Sequence, residues 1–215
     1  MNNSNSREDL LRHGFLLLAA QQVGNVANAL FQMVAGRMLS KAEYSILFAM
    51  LSMIMICSAP ILALRTSLSY YAARLVQTGR LCEVSWLLRR WMGYILLFGL
   101  PFVVAIVLFR ETVMDFQNID RPAPVLAMAV ALFLMLFMPI PAGAFIGLQA
   151  FRWFVVSISA YSLLRMAFAV VYYYYFDRTA TWGLLAQVTA ILFFFALATS
   201  GLSRILRVDH CGEVV

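Results

Sequence analysis

Arg165 is a single arginine near the middle of a long apolar stretch. A guanidinium at the centre of a bilayer costs about 2.5–3.5 kcal/mol on insertion scales, so such a residue needs partners. Tyr161 and Ser162, one turn earlier, offer hydroxyls that solvate a cation without neutralising it. No Asp or Glu interrupts any of the apolar stretches. Two readings are open: the cation bonds backbone carbonyls or snorkels, or it faces a cavity and attracts an anion such as a phosphate oxygen. A second polar set, Gln21, Asn25, Asn28 and Gln32, falls within about a 60° arc of one helix face. Amides facing lipid leave donors and acceptors unpaired at a cost of kcal/mol order. The stripe therefore makes interhelical hydrogen bonds or, in the preferred reading, walls a hydrated cavity. Arg65, just after Pro60, reads as a membrane-flanking charge or as a contact at the cavity mouth.

Other chemistry is poorly supplied. The chain has three cysteines and two histidines, Cys57, Cys82, Cys211, His13 and His210, in no CxxC or Cys/His spacing. It contains no Gly-x-Ser-x-Gly elbow, no His-Glu-x-x-His and no Walker-type loop. The apolar stretches hold neither His nor carboxylate to act as base or metal ligand. The expectation is a protein that is not an enzyme and that takes no cofactor or metal. The basic residues are scattered singly, so the net charge of +6 points to membrane topology and not to a nucleic-acid partner.

The elements that position these residues follow from hydropathy. The chain is 63% hydrophobic and 12% charged, against roughly half and a quarter in soluble domains. Its mean hydropathy is +0.85. A soluble fold of this size could not hide so much apolar surface, so the lipid bilayer is its solvent. A spanning helix takes about 20 residues, and the sequence predicts six, over 14–36, 44–64, 91–109, 124–147, 154–176 and 182–203. Residues 1–13 and 204–215 form tails. Arg7 and Arg12 precede an apolar run with small residues at its end, as in a signal peptide. The pattern continues to Leu39, however, and predicts an uncleaved first helix.

Ten basic residues (Arg7, Arg12, Arg65, Arg74, Arg80, Arg89, Arg90, Arg152, Arg204 and Arg207) fall on one side. Five (Arg37, Lys41, Arg110, Arg121 and Arg178) fall on the other. This asymmetry places both termini in the cytoplasm. The stretch 65–90 is then a cytoplasmic loop, and its alternation of leucines with arginines predicts an interfacial amphipathic helix there. Pro139 and Pro141 predict a kink in the fourth helix, and Gly143 with Gly147 predicts a close helix approach.

Several segments resemble a known family. Asn28-Ala-Leu-Phe31, followed by Gly36-Arg-Met-Leu-Ser-Lys-Ala-Glu-Tyr44, is similar to the opening of polysaccharide-export flippases. Gly147-Leu-Gln-Ala-Phe-Arg-Trp-Phe154 is similar to their segment between the fourth and fifth helices, and Trp182-Gly183 with Ala186-Gln187 fits the start of the sixth. These proteins form the oligosaccharide-lipid branch of the multidrug/oligosaccharidyl-lipid/polysaccharide (MOP) flippase superfamily. The resemblance implies an all-α bundle equivalent to one six-helix lobe, located in a bacterial inner membrane. It implies as partner an undecaprenyl-diphosphate-linked glycan, whose diphosphate Arg165 and Arg65 would hold while Gln21, Asn25, Asn28 and Gln32 meet the sugar. One lobe cannot enclose a two-sided cavity, so the expectation is a half-unit that pairs with a second lobe or as a homodimer, or a truncated form. The competing readings are a substrate-binding subunit of a multi-component small-molecule importer and a non-transporting remnant or assembly partner.

Overall fold

The computed structural model describes residues 3–117 and 119–208. The side chains of Arg7, Arg12, His13, Cys82, Arg207, His210 and Cys211, used above for orientation or cysteine chemistry, lie outside the described residues. The described elements are helices throughout. They are α1 (Asn3–Met38), α2 (Lys41–Gln77), α3 (Leu81–Leu108), α4 (Arg110–Gln117), α5 (Pro122–Phe137), α6 (Pro139–Gly147), α7 (Phe151–Tyr175) and α8 (Ala180–Val208). Five are long and apolar enough to cross a membrane: α2, α3, α5 with α6 taken together, α7 and α8. The chain is a multi-pass membrane protein. α1 is a continuous helix over the predicted first span, but it is not among those five.

Helices α5 and α8 are the inner layer. Residues such as Leu184, Ala190, Ile191 and Phe194 of α8, and Val125, Met128 and Leu132 of α5, are buried. Helix α7 packs along α8, and α1 packs along α7. On the other flank α2 lies against α6 and α5, and α3 lies mainly against α5. Helices α1 and α2 meet little beyond the turn that joins them. They diverge from that turn like the arms of a V.

The turn has identifiable causes. The Ser40 side chain caps α2 by accepting from the Glu43 N–H at 3.3 Å. Glu43 in turn accepts from the Ala180 N–H at 2.7 Å, which satisfies a donor at the start of α8 and places negative charge at its positive end. Arg121 stands 3.9 Å from the same carboxylate. One acidic residue thus ties the α1–α2 turn to α8 and to the start of α5.

The fourth predicted span breaks as its prolines require, at Met138 between α5 and α6. Gly143 and Gly147 then let α6 lie directly on α2. A Cβ on Gly143 would sit 3.0 Å from the Arg65 carbonyl oxygen, and one on Gly147 would sit 2.5 Å from Ala72 Cβ.

The stretch 65–90 differs from expectation. It holds no separate interfacial helix: α2 runs on to Gln77 and α3 starts at Leu81, with a short turn around Gly79, whose φ is +73°. Part of the stripe that suggested a lipid-facing helix packs inward. Leu68, Val84 and Leu88 are buried in a cluster with Ile95, Ile140 and Ala144. A second departure is the short helix α4 in the connection holding Glu111 and Asp115. Gly147→Val should therefore lower stability by about 1–3 kcal/mol through overpacking. Gly93→Ala, where a Cβ meets nothing within 4 Å, should be near neutral. Thermal unfolding of the two purified variants in detergent checks the contrast.

Candidate functional site: a polar groove between the arms

The V between α1 with α7 on one side and α2 on the other is a groove that widens away from the joining turn. Near the apex, Phe31, Gln32, Tyr44, Leu47, Phe48 and Leu51 leave only about 10 Å³. Beyond it Asn28, Gln32, Ser52, Tyr161, Arg165 and Gln187 line a cavity of about 290 Å³. Farther on, Gln21, Arg65, Met138, Pro139, Tyr161 and Phe194 line one of about 450 Å³. Gln32, Phe48 and Leu51 are common to the first two, and Met135 and Tyr161 to the last two. The three form one passage floored by α5 and α8.

Arg165 is the polar centre. Helix α7 buries Ser157, Ala169 and Tyr173 against its neighbours and turns Tyr161 and Arg165, one turn apart, toward the groove. The arginine Nη1 donates to Asn28 Oδ1 at 3.2 Å. Its guanidinium carbon lies 4.0 Å from the Phe31 ring centroid, a close cation–π contact. Both partners come from α1, three residues apart and hence neighbours on its surface. Arg165 forms no ion pair among the described residues. Its Nε is buried without a hydrogen-bond partner, and so is Gln187 Oε1 in the same cavity wall. Both atoms are sealed from the cavity space, so what the wall offers a guest is the charge of the partly exposed guanidinium.

The expected site residues are therefore brought together unequally. Asn28, Gln32 and Arg165 share the middle cavity, while Gln21 and Arg65 share the wide end. The Arg65 guanidinium also faces the Phe154 ring at 6.0 Å. Asn25 is exposed and lines neither cavity. Ser162, expected to help solvate Arg165, bonds its own helix at Ile158 O and faces Gly24 of α1. Gln187 is the residue that sequence reasoning missed. The sequence marked it only within the Ala186-Gln187 match and not as a site residue.

No family model, curated protein or solved structure matches the chain. The functional reading rests on the groove. Asn28→Ala should lower stability by about 1–2 kcal/mol, because it strips a hydrogen bond from a charged group. In an Arg165→Met background the same change should cost little. A double-mutant cycle by chemical denaturation in detergent reads that coupling.

Proposed function

We propose that the chain is a flippase-like protein for a lipid-linked oligosaccharide in a bacterial inner membrane, serving polysaccharide or O-antigen export. The observation that carries the reading is Arg165, a membrane-depth cation without a carboxylate. It lines a cavity together with Asn28, Gln32, Tyr161 and Gln187. A phosphate next to a sugar hydroxyl is complementary to a cation set among amides. Within this reading Arg165 holds the diphosphate of an undecaprenyl-diphosphate-linked glycan. Arg65 makes a second anionic contact at the wide end, and Gln21, Asn28, Gln32 and Gln187 meet the glycan. Asn25, outside both cavities, has no part in it.

Topology enters as part of the proposal. Helix α1 is the sixth span, its polar side turned to the groove and not to lipid. Both termini lie in the cytoplasm, where the arginine excess belongs. The groove then opens inward, because its wide end carries Arg65. Its long side is uncovered by the described residues, so a second copy or another six-helix lobe closes it, and rocking of the two lobes changes access. The resemblance at Gly36–Tyr44 favours the same reading.

Two outcomes test it. Arg165→Ala should weaken binding by about 10- to 100-fold, the worth of one charge-assisted contact, and should reduce surface glycan in a complementation assay at unchanged membrane insertion. Arg165→Lys should keep part of the function. Unchanged glycan in the Ala variant sinks the anion-site reading. For the topology, single cysteines at Thr112 and Gln77, with the native cysteines replaced by Ser, should label from opposite faces of the membrane. Labelling from the same face rules out the six-span arrangement.

A further inference from the structure

A second cavity, of about 640 Å³, lies on the far side of α2, between α2, α3 and α5, and takes no part in the polar groove. Pro60 and Leu64 of α2 form one wall, and Trp91, Tyr94, Phe98 and Phe102 of α3 form the other. Its floor is the contact of Gly99 with Leu136, where a Cβ on the glycine would meet Leu136 Cδ1 at 2.8 Å. The lining is apolar apart from the tyrosine hydroxyl and the Cys57 thiol. From Trp91 to Phe102 the α3 wall rises about 16 Å, close to half of a hydrocarbon core about 30 Å thick. That is the depth of one leaflet.

The Trp91 end is chemically marked. Arg90 donates from Nε to the Tyr94 hydroxyl at 3.0 Å. Its guanidinium carbon lies 5.0 Å from the Trp86 ring and 5.6 Å from the Tyr94 ring. Trp91 and Tyr94 meet edge to face beside it. Two rings and a hydroxyl thus hold Arg90 at the mouth of the cleft, and its Nη atoms make no hydrogen bond or ion pair with a described residue. A cation over an aromatic belt, next to an apolar cleft one leaflet deep, matches a lipid with a phosphate head and a hydrocarbon chain.

We propose that this cleft binds an anionic glycerophospholipid of the bilayer, with its phosphate on Arg90 and one acyl chain along Trp91–Phe102. The proposal requires only that the chain cross a membrane, and it stands or falls apart from the flippase reading. Trp91 is a built-in reporter. In a chain carrying Trp86→Phe, Trp153→Phe and Trp182→Phe, Trp91 fluorescence is titrated with acyl-brominated phosphatidylglycerol or phosphatidylcholine in otherwise unlabelled phosphatidylcholine vesicles. Half-quenching should need about five times less of the anionic lipid, the discrimination worth one basic residue near the surface. Arg90→Gln should remove that preference and Arg110→Gln should not. Leu64→Phe, which fills the cleft, should reduce quenching by both lipids. Coincident curves, a preference that survives Arg90→Gln, or quenching indifferent to Leu64→Phe would each overturn the proposal. Native mass spectrometry of the unsubstituted chain, delipidated and offered both lipids in equal amount, reads the same preference without the tryptophan replacements. Equal retention of the two lipids there counts against it.

Discussion

A guanidinium inside a membrane protein has to be solvated by something, and among the described residues no carboxylate pairs with Arg165. The surrounding architecture can be understood from that constraint. Helix α1 supplies the Asn28 carbonyl and the Phe31 ring, so a comparatively polar helix is held against α7. The arginine keeps a charge that no described carboxylate neutralises, and it lines a polar space. That space exists because α1 and α2 part after a tight turn. The turn in turn is fixed by Ser40 and by the Glu43 carboxylate at the head of α8.

The same constraint separates the two faces of α2. One face closes the polar groove through Ser52 and Arg65, and the other lines the apolar cleft through Pro60 and Leu64. Between them Gly143 and Gly147 bring α6 into direct contact with the lower half of the helix. A bulkier residue at either glycine would push α2 outward and disturb both cavities. Packing at small residues and solvation of one charge are therefore linked through a single helix.

Much of this was legible in the sequence because it depends on residue types that are costly in lipid. Arg165 and the α1 amides stand out against apolar neighbours, and helical periodicity already places Asn28 and Gln32 on one face. The break at Pro139 and the close approach at Gly147 agree with local backbone chemistry, although α2 and α3 run unbroken through Pro60 and Pro101. Other features depend on partners far apart in the chain. Gln187 is one amide without a periodic companion, and its place in the groove wall is set by how α8 turns between α5 and α7. The leucines of 65–90 alternate with arginines whether the helix lies on a lipid surface or packs on α6, and only the fold distinguishes the two. Asn25 shows the opposite limit, since sharing an arc with cavity residues does not bring a side chain to the cavity wall.

Whether the polar side of α1 faces water inside the bilayer is the point on which this picture turns. The direct measurement is the rate of labelling by a hydrophilic thiol reagent in membranes, for chains carrying one cysteine each and none of the native three. Cysteines at Asn28 and Gln32 should label readily and be slowed by added pyrophosphate. Cysteines at Val26 and Met33, exposed residues that line neither groove cavity, should stay nearly inert because they face lipid. Equal labelling at all four positions, or inertness at Asn28 and Gln32, would contradict a hydrated groove around Arg165.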